Sequence, residues 1–187
     1  MLCDPNGAGR LNSFALVTYI LGPVGSFVDQ VRTELVPSWS LQAHVTILPP
    51  RPLAVSCESA WEQIERAAGH LPAFEVEATG VRIFPATQVI YLALGAGDTE
   101  LRRMHDLLSA GDLACAEAYS YHPHITLAQG MPLEGVERTM ELARRRWSEF
   151  KGNPTFVVDR LTFVQGTREN TWLDLASGRL EASIATH

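Results

Sequence analysis

The sequence carries little positive charge for its size. Its 187 residues include 15 lysines and arginines against 21 aspartates and glutamates, which gives a formal net charge of −6 at pH 7. Proteins that bind long nucleic acids usually present a basic surface, because the release of counterions from the phosphates drives that binding. The composition therefore argues against a long duplex as the partner, whereas a small phosphorylated ligand needs only one or two local cations.

Cysteines and long apolar runs are also scarce. The three cysteines, Cys3, Cys57 and Cys115, are odd in number and form no CxxC pair, which argues against a disulfide framework and a structural zinc site. A cytoplasmic location is the simplest expectation from this cysteine usage. No apolar run approaches the roughly 20 residues that span a bilayer, so no membrane partner is expected. The short apolar run at residues 13–22 lacks the flanks of a signal peptide and predicts a first strand.

Motifs that bind common cofactors are missing too. The sequence has no P-loop and no adenylation motif centred on a lysine, so an ATP-driven ligase is not expected. It has no GxSxG motif, which a serine esterase of the α/β-hydrolase type would carry. Gly95 and Gly97 lack the third glycine of a dinucleotide-binding fingerprint. We therefore expect an activity that needs no cofactor.

The hydrophobic pattern alternates between strands and helices. Runs rich in apolar, β-branched and aromatic residues predict strands at residues 14–21, 41–48, 74–83, 89–94, 121–129, 155–164 and 171–175. Apolar residues at helical spacing predict helices at residues 27–35, 57–69, 99–109 and 133–150. The alternation changes phase after Gly80, which predicts a bulge inside the third strand. The order of elements predicts an α/β (α+β) fold.

Separate elements of the two halves match at one offset. His-Val-Thr-Ile at residues 44–47 lies 80 residues before His-Ile-Thr-Leu at residues 124–127. The strand segment at residues 81–83 also lies 80 residues before its counterpart at residues 161–163. An offset that several elements share indicates an internal repeat.

We therefore predict one bilobal domain over residues 1–187. Repeat one covers about residues 14–94 and repeat two about residues 88–176. Each lobe is expected to contain an antiparallel sheet flanked by helices, with the His-x-Thr strands facing a central cleft.

Both motifs place a histidine and a threonine on one face of a strand. Side chains alternate along a strand, so His44 and Thr46 face one way, as do His124 and Thr126. Two imidazoles across a cleft suit acid–base catalysis near neutral pH, since one can take a proton while the other gives one. Threonine hydroxyls can bind the oxygens of a tetrahedral anion. The pattern predicts attack on a phosphodiester without a metal.

The two motifs, with Tyr-His-Pro at residues 121–123 ahead of the second, resemble those of the 2H phosphoesterase superfamily. The resemblance is greatest to its 2′-5′ RNA ligase-like branch, the RNA 2′,3′-cyclic phosphodiesterase family. It covers nearly the whole chain, from about residue 14 to residue 175. It implies a bilobal fold with a cleft between two antiparallel sheets, and metal-independent chemistry on 2′,3′-cyclic phosphates or 2′-5′ phosphodiesters.

The resemblance also implies roles for the motif residues. His44 and His124 would be the acid–base pair, and Thr46 and Thr126 would bind the substrate phosphate. One histidine would activate water to attack phosphorus while the other protonates the departing ribose oxygen. Which histidine is the base stays open, because the two motifs are nearly symmetric.

Four more residues are candidate substrate contacts, each with a structural alternative. Arg51 follows the first motif and could reach a phosphate, although an arginine in such a loop is more often solvated. Tyr121 and Phe84 could stack on a base or ribose, or could pack in the core or at its rim. His122 shares the strand parity of His124, so it could face the cleft rim.

The remaining histidines and several tryptophans are predicted to have structural roles. The histidines expected at the surface are His70, His105 and His187. The tryptophans expected in the core are Trp61, Trp147 and Trp172.

Three other activities stay open. A metal hydrolase would use His44, His122 and His124 as ligands, but neither motif carries a carboxylate beside its histidine. A non-catalytic RNA- or nucleotide-binding module would use the same cleft for recognition alone. A reversible 2′-5′ RNA ligase would run the opening of the cyclic phosphate backwards. We expect a small nucleotide or RNA end as the substrate, no bound metal, and a monomer.

Overall fold

The computed structural model describes residues 9–182, which contain eight strands and four α-helices. The strands are β1 (Arg10–Tyr19), β2 (His44–Arg51), β3 (Phe74–Ile83), β4 (Ile90–Leu94), β5 (His124–Ala128), β6 (Thr155–Val158), β7 (Arg160–Thr167) and β8 (Trp172–Arg179). The helices are α1 (Gly22–Leu35), α2 (Cys57–Ala68), α3 (Asp98–Leu108) and α4 (Leu133–Glu149). A short 3-10 turn at Gly111–Leu113 follows α3. Cys3 and His187 lie outside the described residues.

The strands form two antiparallel sheets, in the orders β2-β1-β7-β8 and β5-β4-β3-β6. Residues 14–18 of the inner strand β1 are buried on both faces, which explains their unbroken run of apolar and β-branched side chains. The predicted α/β fold, with two lobes and two antiparallel sheets, is confirmed. Within residues 9–182, no helix combines the length and apolar character needed to cross a membrane.

The two motif strands lie at the edges of their sheets. β2 is an edge strand of the first sheet, β5 is an edge strand of the second, and these two edges contact each other. Helices α1 and α4 pack against the second sheet, whereas α3 packs against β2 of the first. Buried apolar residues from both sheets and all four helices form one continuous core. This arrangement brings the two motifs together from different sheets.

Residues 155–164, predicted as one strand, form two strands in different sheets. β6 pairs with β3 in the second sheet, whereas β7 pairs with β1 in the first. The positions that pack into the main core change parity between them, from Phe156 and Val158 to Leu161 and Phe163. Since parity decides which face a side chain takes, the change accompanies the passage of the chain from one sheet to the other.

Two predictions about strand geometry have different outcomes. The predicted bulge is confirmed, because the pairing of β3 with β4 shifts register between Ala78 and Gly80. The predicted strand at residues 121–129 is too long, because β5 begins only at His124. Pro123 has no backbone N–H to donate to a neighbouring strand. The segment ahead of β5 instead lines the cavity described below.

Several predictions about single side chains are wrong. His105, predicted at the surface, is only 8% exposed because it follows Leu101 by one turn on the buried face of α3. Trp147 and Trp172, predicted in the core, are half-buried.

Candidate active site

The cleft where β2 meets β5 contains both His-Thr pairs. A cavity of about 710 Å³ is lined by His44 and Thr46 from β2 and by His124 and Thr126 from β5. The alternation of side chains along each strand explains why both members of a pair face the same cavity. The strand pairing therefore brings together four residues that are far apart in the sequence. Their catalytic and phosphate-binding roles stay predictions at this point.

The two motif histidines have the same local geometry. Nδ1 of His44 lies 2.6 Å from the carbonyl oxygen of Gln42, and Nδ1 of His124 lies 2.6 Å from the carbonyl oxygen of His122. A carbonyl oxygen can only accept, so Nδ1–H donates in both rings. In each neutral ring, Nε2 then carries the lone pair. Both rings therefore keep Nε2 for proton exchange with a ligand.

Burial favours the neutral form of both histidines. Desolvation is the main cause that lowers the pKa of His44 to about 3, and the positive charges of Arg32 and His124 lower it further. Desolvation also lowers the pKa of His124, with smaller effects from the charges of His122 and Arg32. The hydrogen bonds at Nδ1 oppose these shifts in both rings. Both rings are therefore neutral at pH 7, and a bound phosphate anion would favour protonation.

Aromatic rings support the imidazoles from both sides of the cleft. The ring of Trp172 lies 4.6 Å from that of His44, measured between centroids. The ring of His124 lies 5.1 Å from Phe84 and 5.3 Å from Tyr91 in edge-on contacts. Phe84 and Tyr91 themselves stack at 4.1 Å. These contacts restrict the orientation of each imidazole and remove water from around it.

The four candidate substrate contacts all line the cavity; they are Arg51, Phe84, Tyr121 and His122. The ring of His122 contacts Phe84 at 5.3 Å, and its centroid lies 6.5 Å from that of His124. Desolvation lowers the pKa of His122. Contact of these four residues with a substrate stays a prediction.

Arg51 is held by protein groups. Its guanidinium is buried, with Nη2 2.5 Å from Oε1 of Glu117 and Nη1 donating to the carbonyl of Leu113 at 2.7 Å. The same Glu117 oxygen lies 3.0 Å from Nε2 of His105. Glu117 belongs to residues 115–122, the segment that forms one wall of the cavity. The ion pair therefore fixes this wall to the end of β2, and Glu117 neutralises the arginine.

We expect Arg51→Met to lower the free energy of unfolding by about 3 kcal/mol, because it leaves the largely buried Glu117 carboxylate without its charged partner. Urea denaturation measures this loss. The matched control is Arg103→Met on the exposed side of α3, which should change stability by less than about 0.5 kcal/mol. Equal effects of the two substitutions would contradict the anchoring role.

Sequence reasoning missed Arg32, the largest side chain in the described part of the chain that is fully buried. Its Nε donates to the carbonyl of Thr126 at 2.7 Å, and its guanidinium lies 4.9 Å from the ring centroid of Trp39. The nearest carboxylate is 3.7 Å away, on Asp29. Nη2 has no hydrogen-bond partner among the described residues. Burial lowers the pKa of Arg32 to about 10, so the group stays charged at neutral pH.

One signal in the sequence could have identified Arg32. It follows Val24 and Val28 at intervals of four residues, on the stripe of α1 that is buried. A charged residue on an apolar stripe is unusual, because burying a charge costs free energy unless it is paired or has a function. The sequence does not reveal that this stripe packs against the second sheet, and so beneath the second motif.

The backbone of each motif threonine is held by a residue from the opposite half of the chain. Arg32 donates to the carbonyl of Thr126, whereas the hydroxyl of Tyr121 donates to the carbonyl of Thr46 at 2.8 Å. Burial raises the pKa of Tyr121, which keeps its hydroxyl protonated as a donor. The Tyr121 ring stacks on His105 with centroids 4.0 Å apart. The two motif strands are thus positioned by reciprocal hydrogen bonds.

Comparison with known sequences identifies a family. A model of the 2′-5′ RNA ligase superfamily matches residues 23–170, well over half of the chain. A protein of Staphylococcus aureus (strain Newman), provisionally named as a phosphoesterase, is 29% identical over 113 residues. This match covers 59% of the present chain and 66% of the relative, slightly under two thirds of its length.

Comparison with solved structures supports the same fold. A protein of Thermus thermophilus matches with a TM-score of 0.62 and 17% identity, over 92% of this chain and all of that one (100%). Escherichia coli LigT in its apo form matches with a TM-score of 0.60 and 16% identity, over 92% of this chain and 97% of LigT. LigT complexed with 3′-AMP has a TM-score of 0.59, with the same identity and coverage. At these identities the likeness shows the fold alone.

Proposed function

Because this chain belongs to the 2′-5′ RNA ligase superfamily, we propose that it is a metal-independent phosphodiesterase. It opens 2′,3′-cyclic phosphates, or cleaves 2′-5′ phosphodiesters, on RNA ends or small nucleotides. The observation that carries the proposal is the pair of largely buried imidazoles, His44 and His124, which line one cavity and each donate Nδ1–H to a backbone carbonyl, so that Nε2 is the atom left for proton transfer among the described contacts. A single histidine could be structural, but two with the same hydrogen bond at Nδ1 suit paired proton transfer.

The reaction needs two proton transfers. Nε2 of one neutral histidine takes a proton from water as the water oxygen forms a bond to phosphorus. The bond between phosphorus and one ribose oxygen breaks, and that oxygen takes a proton from Nε2 of the other histidine, which enters the reaction as the imidazolium. A 2′,3′-cyclic mononucleotide gives a nucleoside monophosphate, an RNA end keeps a terminal phosphomonoester, and a 2′-5′ dinucleotide gives a nucleotide and a nucleoside. Hydroxyls of Thr46 and Thr126 donate to the non-bridging oxygens, where negative charge accumulates.

The residues around the cleft support a reaction without a metal. Among residues 9–182, no group of three or more histidine, cysteine, aspartate or glutamate side chains is arranged to hold a metal ion. The buried Arg32 lies beneath the second motif and supplies a fixed positive charge. A fixed positive charge acts more strongly on a nearby phosphate through protein than through bulk water. LigT, which has a similar fold, has been solved with 3′-AMP, one product expected from 2′,3′-cyclic AMP.

The pH dependence follows from the lowered pKa values of both histidines. The free protein must have one ring neutral and the other protonated, so kcat/KM is greatest between the two pKa values. Both lie below the ordinary histidine pKa of about 6.5. We expect kcat/KM to peak below about pH 6.5 and to fall about tenfold per pH unit on the alkaline side.

Bound substrate should move the alkaline limb. The phosphate anion raises the pKa of the protonated histidine in the complex, so the alkaline limb of kcat should lie at a higher pH than that of kcat/KM. Initial rates at several pH values and substrate concentrations separate the two profiles. A kcat/KM optimum well above pH 7 would contradict the effect of burial on these rings.

Product analysis tests the proposed function. The purified protein is incubated in EDTA with 2′,3′-cyclic nucleotides, 2′-5′ dinucleotides and 3′-5′ dinucleotides, and the products are separated by chromatography. The proposal expects turnover of cyclic phosphates or 2′-5′ linkages and none of 3′-5′ linkages. Binding without turnover of any substrate would instead support a recognition module and overturn the proposal.

A further inference from the structure

The charged groups that line the cavity restrict the size of the substrate. Apart from the histidines, the charged side chains among its described lining residues are Arg51 and Glu117. These two form an ion pair with each other at 2.5 Å. The lining in this part of the chain therefore offers no uncompensated arginine or lysine, and its remaining polar groups are uncharged or are imidazoles.

One phosphate can be bound by such a lining, but a strand of phosphates cannot. A single phosphate between the motifs would meet one imidazolium, two threonine hydroxyls and the field of the buried Arg32. Single-stranded nucleic acids bind in grooves that pair positive charges with successive phosphates and stack the bases on aromatic rings. Here the aromatic rings are present without the row of positive charges.

Among the tyrosine, phenylalanine and tryptophan rings that line the cavity, Tyr119 is the most accessible to a flat aromatic group of the substrate. Tyr119 is 65% exposed and lines the cavity, and it is the one aromatic residue among the large exposed apolar side chains of residues 9–182. It lies two residues from Glu117 and two from Tyr121, both of which are fixed by their own contacts. The backbone on either side of Tyr119 is therefore held in place while its ring remains free to stack.

We propose that the cleft is specific for a mononucleotide-sized phosphodiester, with one charged phosphate between the motifs and an aromatic base stacked on Tyr119, and that it disfavours RNA strands. This inference rests on the proposed function and selects, among its substrates, the small cyclic nucleotides. An RNA end would bring neighbouring phosphates to a cavity lining whose one arginine is already paired with Glu117, so additional nucleotides would gain little affinity from that lining.

The dependence on salt tests the inference. kcat/KM is measured for a 2′,3′-cyclic mononucleotide and for a short RNA strand with the same terminal cyclic phosphate, at about 50 mM and about 200 mM KCl. We expect the mononucleotide to be the better substrate. We also expect the logarithm of kcat/KM for the strand to fall with the logarithm of salt by a slope no steeper than about −0.7, the value for one phosphate contact.

The outcomes separate this inference from the proposed function. Preference for the strand by about tenfold or more, with a slope near −2 for about three phosphate contacts, would overturn the inference and leave the phosphodiesterase intact. Failure to turn over either substrate would overturn both.

Variants at Tyr119 test the stacking. Tyr119→Ala should raise KM for the mononucleotide by about 5- to 150-fold with kcat little changed, whereas Tyr119→Phe, which keeps the stacking ring, should raise KM much less. Because the side chain is exposed, the protein should tolerate both substitutions, and an unchanged kcat shows that it remains folded. An unchanged KM in Tyr119→Ala would overturn the stacking.

Discussion

Substitution of either motif histidine, His44→Ala or His124→Ala, is expected to lower kcat for opening of a cyclic phosphate by about 10²–10⁴-fold. Each ring keeps Nε2 for one of the two proton transfers, and no other imidazole in the cavity has the same hydrogen bond at Nδ1 among the described residues. kcat is measured at saturating substrate. The control is His70→Ala, whose side chain is 88% exposed and which should keep the wild-type rate.

The double variant His44→Ala/His124→Ala tests whether the two rings act together. Groups that act as a unit lose most of their effect when one of them is removed. The double variant should therefore be little slower than the slower of the two single variants. Losses that multiply would contradict paired action of the two rings and would favour independent structural roles.

A substrate with a better leaving group shows which histidine is the general acid and which is the general base. A p-nitrophenyl leaving group departs without a proton, so it does not need the general acid. One single variant should recover most of its rate on such a phosphodiester and the other should not. Recovery in neither variant would contradict the assignment of one ring as the acid.

Arg32→Met is expected to lower kcat/KM by about 10²-fold, because it removes both a fixed positive charge and the hydrogen bond to the Thr126 carbonyl. Misplacement of a reacting group by about 1 Å can cost a factor of this size. Arg32 is not itself among the residues that line the cavity, so it acts as a positioning residue. Since its charge lowers the pKa of His44 and of His124, its removal should also shift the pH profile towards higher pH.

Arg32→Lys is the matched control, because it keeps the charge but lacks Nε. We expect it to keep the wild-type pH profile, because the positive charge is retained. It should lose part of kcat/KM, because the hydrogen bond from Nε to the carbonyl of Thr126 is lost. A methionine variant with a wild-type pH profile and a wild-type rate, measured together with its unfolding free energy, would show that Arg32 serves packing alone.

The sequence predicts the fold and the shared orientation of each His-Thr pair well because both depend on local patterns, whereas the roles of these four residues stay predictions. Alternation along β2 and β5 decides which side chains face the cleft, and it can be counted directly in the sequence. The phase change after Gly80 likewise predicts the register shift that the structure contains. These are short-range consequences of backbone geometry.

What could not be predicted depends on which elements meet in space. Arg32 lies beneath Thr126 because α1 packs against the second sheet, and no periodicity in α1 indicates its partner. The periodicity of α3 does not indicate the partners of His105 either, because Glu117 and Tyr121 come to it from a later segment. Between β6 and β7 the core-facing positions change parity, and this can be seen in the sequence. That the change marks a passage from one sheet to the other can be recognised only when the order of strands in the two sheets is known.

The most direct test of the central claim is turnover by protein from which metals have been removed. The protein is dialysed against EDTA, its metal content is measured, and opening of a 2′,3′-cyclic mononucleotide is followed in the presence of the chelator. Catalysis by two histidines predicts the same kcat as for untreated protein, at metal contents far below one ion per chain. A rate that disappears on dialysis and returns with an added divalent metal would contradict the mechanism.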